Sequence, residues 1–221
     1  MVISNEKLSS LIAFKLKKNN NNFSYDELAQ IETLTIDFKL SEDDFECLEF
    51  LKGLNELELI RQEISLHKGQ SLLRLANIKR LVFDRCDFES IDFLREIKAT
   101  NLKFICIDEE YDFLGNLKGL NKLGIIGCSI FDLKIIHTNQ NISSLSLSNS
   151  FIVNIELLKE MKWIRELAID AANINDFSFL LGFASLSRLS TSKDQIDSNI
   201  KVITKLQAKG VDIYLDNVVR W

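Results

Sequence analysis

Proline is absent from these 221 residues, and histidine occurs only twice, at His67 and His137. Segments built of strands and helices need no proline, so its absence removes no fold class that depends on them. Four cysteines, Cys47, Cys86, Cys106 and Cys128, lie far apart along the chain with no CxxC pair. That spacing suggests neither a zinc site nor a disulfide framework. No apolar run approaches the roughly 20 residues that span a bilayer. The opening stretch lacks a basic n-region and a small-residue cleavage site, and Lys15 interrupts its apolar run. It reads poorly as a signal peptide, and a reducing cytosol is the expected location. There is no excess of basic residues either. A net charge of -5 and a pI near 5.2 argue against direct nucleic-acid binding and are better suited to a basic protein partner.

What the chain does have is apolar residues, 46% of the total, enough for a substantial core. They recur in the pattern LxxLxL: "LAQIETLTI" (28–36), "LKGLNELEL" (51–59), "LANIKRLVF" (75–83), "NLKFICI" (101–107), "LKGLNKLGI" (117–125), "NISSLSL" (141–147), "WIRELAI" (163–169) and "SLSRLST" (185–191). The anchors are Leu34, Leu57, Leu81, Ile105, Leu123, Leu145, Leu167 and Leu189. They recur at roughly 22 residues, the period of a solenoid repeat, with one visibly short step from Ile105 to Leu123. Seven positions after the anchor stand Ile64, Phe88, Ile130, Ile152, Ile174 and Ile196, whereas Ser41 and Asp112 break the rule. "VDIYL" (211–215) reads as a weaker ninth unit.

Such self-similarity resembles the leucine-rich repeat, and its commonest spacing is similar to that of the bacterial internalin type. The resemblance covers about residues 28–215 and implies an α/β solenoid. A curved parallel sheet would line its concave side, with helices and 3₁₀ turns on the convex side. Each LxL becomes a strand with two inward leucines, and stacking buries the face that one coil alone leaves bare. That family places Asn five after the anchor; here Lys39, Gln62, Cys86, Glu110, Cys128, Ser150, Ala172 and Asp194 fill the slot. Cysteine is an accepted alternative there, which gives Cys86 and Cys128 a structural role. The chain is expected to be one domain: an N-terminal cap (1–27), about eight repeats (28–197) and a C-terminal cap (198–221) with a last strand. Within it, "SEDDFECLEFL" (41–51) predicts a helix capped by Ser41, with Phe45, Leu48 and Leu51 inward. "SNIKVITKLQAKG" (198–210) predicts a second, ended by Gly210.

In this family partners usually bind the concave sheet. Eight or nine strands at about 4.8 Å give a sheet roughly 40 Å long, room for about 800 Å² of interface per partner. Outward positions lie one before, one after and three after each anchor. They predict an acidic strip of Asp37, Glu56, Glu58, Asp84, Asp108, Glu109, Glu166 and Asp170, with Phe104 the leading apolar anchor beside Val82, Ile60 and Ile126. Gly124, Ser146, Ser148, Ala168 and Ser190 form a small-residue patch. The alternative is a merely solvated polar face, with Asp suited to strand ends.

Catalysis has little support. His67 and His137 fall in convex or loop segments, a Cys106 nucleophile lacks a histidine among its facing rows, and no nucleotide-binding or calcium motif occurs. The expected function is non-enzymatic protein binding without metal or cofactor. Its sharper form is a bacterial immunity-type inhibitor of a basic toxin or nuclease. An adaptor or effector that binds host proteins is the rival within the same class, and an atypical thiol enzyme at Cys106 the rival outside it.

Overall fold

A computed structural model describes residues 3–215. Nine strands follow one another in sequence order across one sheet. They are β1 (Thr33–Ile36), β2 (Glu56–Ile60), β3 (Arg80–Asp84), β4 (Asn101–Ile105), β5 (Lys122–Ile126), β6 (Ser144–Ser146), β7 (Glu166–Ala168), β8 (Arg188–Thr191) and β9 (Asp212–Leu215). Two compact units, residues 1–101 and 102–221, divide the chain.

In the first unit the strands pair in parallel with equivalent leucines opposed, Leu34 to Leu57 and Leu57 to Leu81. Leu34, Leu57, Leu59, Leu81 and Phe83 are all buried, the period-2 alternation expected of strands with one face on a core. The N-terminal end is closed by α1 (Glu6–Lys15), where Asn5 caps the Leu8 N–H, and by α2 (Tyr25–Leu28), capped by Ser24. Their Leu8, Ile12 and Leu28, with Phe23 between, pack inward. Ser41 caps α3 (Glu42–Cys47) through a reciprocal box with Asp44, and Phe45, Leu48 and Leu51 are buried as the sequence predicts. The fourth helix, α4 (Leu66–Leu73), starts at Ser65.

In the second unit the register runs Leu123, Leu145, Leu167, Leu189, Ile213 across five parallel strands. The four returns between β4 and β8 are 3₁₀ turns: Asp112–Asn116, Leu133–Ile135, Ile155–Glu160 and Ser178–Gly182. Coil length accounts for the difference. The α-helical returns α3 and α4 lie in the longer coils, Leu34 to Leu57 and Leu57 to Leu81, and the 3₁₀ returns in shorter ones such as Leu123 to Leu145. A 3₁₀ turn rises about 2.0 Å per residue against about 1.5 Å for an α-helix, so it crosses the same distance with less chain.

One anchor differs from expectation. In the coil of β4 the inward pair is Leu102 and Phe104, both fully buried, whereas Ile105 is only half-buried. The backbone states the same register independently. Four residues past the anchor, the N–H donates to the carbonyl three past the next anchor: Arg61 to Asp84, Gly127 to Ser148 and Asn149 to Asp170. Cys106 makes this bond to Ile126, which fixes Leu102 as its anchor. The steps from Leu81 to Leu102 and from Leu102 to Leu123 are then equal, where Ile105 would leave one long and one short. Six of the eight residues at this +4 position (Arg61, Arg85, Cys106, Gly127, Asn149 and Ala171) have φ between 50° and 69°; Phe38 and Lys193, in the first and last of these coils, do not share it. In these six coils the strand ends in a left-handed residue, although only glycine and asparagine favour it locally.

The next position supplies the ladder that asparagine would otherwise provide. Gln62 Nε2 donates to Phe38 O, Cys86 Sγ to Leu59 O at 3.2 Å, Cys128 Sγ to Ile107 O at 2.9 Å, and Ser150 Oγ to Ile125 O at 3.1 Å. Each ties its coil to the one before. Burial pushes the Cys86 thiol up to about 11 and raises Cys128 as well, so both remain protonated donors at neutral pH.

Further along the coil, Ile64, Ile152 and Ile174 enter the core as expected. Ile130 does not: Phe131 takes its place, and Tyr111 does the same in the coil of β4, donating its hydroxyl to Ile107 O at 2.7 Å. Phe104 and Tyr111 meet edge-on at 5.2 Å, and Tyr111 and Phe131 at 5.8 Å. At the C-terminal end the expected helix is present as Ile200–Ala208 (α6), with Gly210 at φ 85° beyond it, and a helix that the sequence does not announce, Lys193–Ser198 (α5), precedes it. The break falls at Asn199, whose Oδ1 accepts Phe177 N–H and whose Nδ2 donates to Asn175 O. The expected closing strand is β9; the "VVRW" segment lies outside the described residues.

Two substitutions test this register. Phe104→Ala is expected to cost about 3–5 kcal/mol and Ile105→Ala less than about 1.5 kcal/mol in denaturant unfolding. Equal costs would contradict Leu102 as the anchor. Gly53→Ala would bring a Cβ to 2.0 Å from the Ala29 carbonyl oxygen, a backbone atom that cannot swing aside. A loss of about 1–3 kcal/mol or more is expected, and a neutral substitution would contradict the close approach of these coils.

Candidate functional site

The sheet face opposite the core carries the outward rows, and the two units carry them differently. In the first, Glu56 and Glu58 come from β2, Asp84 from the end of β3 and Asp37 from the turn after β1. Arg80 Nη1 approaches Glu56 at 3.6 Å, while the Arg80 Nε is buried with no hydrogen-bond partner among the described residues. Arg85 grips Asp84 with two parallel bonds, Nε to Oδ1 at 2.8 Å and Nη2 to Oδ2 at 2.9 Å. Its left-handed backbone turns that guanidinium back onto the preceding carboxylate. Glu58 accepts the Thr35 hydroxyl at 3.2 Å, and Asp37 is exposed. Among the described residues neither Glu58 nor Asp37 is held in an ion pair. Val82, expected as an apolar anchor, is buried, and Ile60 is half-buried.

In the second unit the predicted acids do not form a strip. Glu166 is matched by cations on both sides, Arg188 at 3.2 Å and Lys122 at 3.7 Å, and also accepts the Ser144 hydroxyl at 2.7 Å. Asp170 is only 3% exposed; the hydroxyls of Ser148 and Ser190 donate to its carboxylate from the coils on either side, at 3.0 and 3.1 Å. A buried carboxylate must be hydrogen-bonded, and here the small-residue rows supply the donors. Asp108 lies past the strand, where it accepts the Ser129 N–H at 2.6 Å and its hydroxyl at 2.7 Å. Phe104 is buried in the core, so the outward residue of that coil is Ile105, beside Ile126. This corrects the expected exposure of Phe104: counting from Ile105 instead of Leu102 is an odd shift, which reverses inside and outside.

Gly124, Ser146, Ala168 and Ser190 follow one another along this face, yet they are buried. A Cβ on Gly124 would stand 2.9 Å from the Lys103 side chain, so the lysine stem already lies over that glycine. Lys103 therefore covers this face at Gly124, with the Lys122–Glu166–Arg188 row alongside. Cys106 is exposed, His67 pairs with Glu46 at 2.8 Å, and the His137 ring contacts Lys134 O at 2.9 Å. Each histidine is thus already engaged, away from the sheet face. No helix among the described residues is long and apolar enough to cross a membrane.

Two exposed side chains escape the sequence reading. Ile130, expected in the core, and Phe151 stand on adjacent coils of the second unit. The only signal is that Phe131, next to Ile130, is the bulkier side chain of the pair.

No family model and no curated protein matches this chain. Solved structures do. An internalin (inlF) from Listeria monocytogenes aligns over 98% of this chain with a TM-score of 0.62 at 15% identity, and the chain spans 64% of its length. Internalin C2 from the same organism aligns over 88% of this chain and 89% of its own, with a TM-score of 0.62 at 18% identity. At such identities the likeness establishes architecture alone. Parallel strands in equivalent register, their regular recurrence along the chain and these structural neighbours together give the chain the leucine-rich repeat fold, in an architecture similar to that of the internalins.

Proposed function

We propose that this protein is a non-enzymatic binding module whose open sheet face receives another protein, and that it does so in the cytosol. The supporting observation is the outward face of the first unit. There, Asp37 and Glu58 project from neighbouring coils with no ion pair among the described residues, beside the half-buried Ile60. Carboxylates of this kind attract a basic surface, speed encounter and penalise an acidic competitor. The parallel strands fix the backbone positions from which they project, Glu58 within β2 and Asp37 just after β1.

The sharper form is an immunity-type inhibitor that covers the active site of a basic toxin such as a nuclease. The overall charge of -5 and the open carboxylates of the first unit support it. The matched charges around Glu166 and the enclosed Asp170 confine that support to the first unit.

Co-expression with the product of the adjacent reading frame tests this function. A complex should survive purification, and cells making that product should be protected. Reversing Asp37 and Glu58 together to lysine is expected to weaken the complex by about tenfold or more, mainly at low salt. Absence of both complex and protection would reject the inhibitor. A complex indifferent to the double reversal would move the contact away from these carboxylates.

A further inference from the structure

Ile130 and Phe151 are paired by the backbone. Phe131 N–H donates to Phe151 O at 2.9 Å, Phe151 N–H donates to Cys128 O at 3.3 Å, and Phe131 opposes Ile152 in a short parallel ladder. Phe131 and Ile152 point into the core, so strand alternation turns the residues before them outward together. They are 65% and 53% exposed. The equivalent ladder of the first unit, Glu63–Ile64 with Asp87–Phe88, places carboxylates at the two outward positions. Two large apolar side chains here break the rule of that row, without any gain in core packing.

Beside them runs the acidic segment Asp108, Glu109, Glu110 and Asp112, interrupted by Tyr111 alone and with no basic residue among them. Its contact with the pair's turn is direct, because Asp108 accepts both the N–H and the hydroxyl of Ser129, the residue preceding Ile130. An apolar knob bordered by anionic charge has the composition of an interface hot spot with a polar rim. The charge selects the occupant. A second copy placed about a two-fold axis would bring two acidic segments together, which is unfavourable. An anionic lipid surface meets the same repulsion.

We propose that Ile130 and Phe151 anchor a docking surface for a protein whose apolar contact site is bordered by lysine or arginine. This surface belongs to the second unit and stands whether or not the carboxylates of the first unit bind.

The test uses the full ¹⁵N-labelled chain and, as probe, a synthetic peptide alternating leucine and lysine, with its leucine–glutamate counterpart and anionic vesicles as controls. Amide shifts should cluster at Ile130, Phe151 and residues 108–112 for the lysine peptide alone. Phe151→Ser and the pair Glu110→Lys with Asp112→Lys should each weaken binding by about fivefold or more, with the thermal midpoint held, since all three side chains lie on the surface. Shifts centred elsewhere, an equal response to the glutamate peptide or to vesicles, or an unchanged affinity in Phe151→Ser would overturn the proposal. So would a concentration-dependent dimer that Phe151→Ser dissolves, because the patch would then be a self-contact.

Discussion

Every coil of this protein rests on the side-by-side placement of equivalent inward residues on parallel strands. A single LxL turn has an apolar side that it cannot cover by itself, and burial comes only from the neighbours. Leu57 against Leu81, or Leu145 against Leu167, is therefore the unit of stability, repeated along each compact half of the chain. Other features serve that placement. In six of the coils a left-handed residue after the strand turns the chain off the sheet without breaking the pairing. The next side chain then fastens the turn to the preceding coil. Gln62, Cys86, Cys128 and Ser150 perform this with an amide, two thiols and a hydroxyl, so the geometry of a donor matters more than its chemical type.

The fold is legible because the strand alternation and the longer repeat are both written in aliphatic side chains. Leu34, Leu57, Leu81, Leu123, Leu145, Leu167 and Leu189 all occupy the inward positions that the pattern predicts. The coil of β4 is the exception, because "NLKFICI" offers several apolar residues in alternation, and more than one pair satisfies the pattern. The burial of Leu102 and Phe104 and the backbone bond from Cys106 to Ile126 resolve the choice. Ile130 departs from its expected place for a related reason: a coil one residue longer before its inward turn presents Phe131 to the core instead. Residue type alone does not reveal where a loop carries its extra residue.

The candidate site is less legible than the fold. Row positions hold in the first unit, but a row says nothing of who neutralises whom. Arg85 follows Asp84 in sequence, yet its grip depends on a left-handed backbone that arginine does not signal. Around Glu166 the compensating cations come from β8 on one side and β5 on the other, a cross-strand relation that emerges only with the register. Asp170 is enclosed just past the end of β7, satisfied by serines that read in sequence as uncommitted surface.

The turn at the end of each strand has a consequence for how such a scaffold changes. Arg61, Arg85, Cys106, Asn149 and Ala171 share one backbone shape and lie at the exposed margin of the sheet, while differing in size, charge and polarity. Their conformation is imposed by the pairing on either side, so identity at this margin is left almost unconstrained by folding. A column of independently variable residues runs beside a fixed framework. Selection can rewrite its chemistry one coil at a time while the leucines beneath stay where they are.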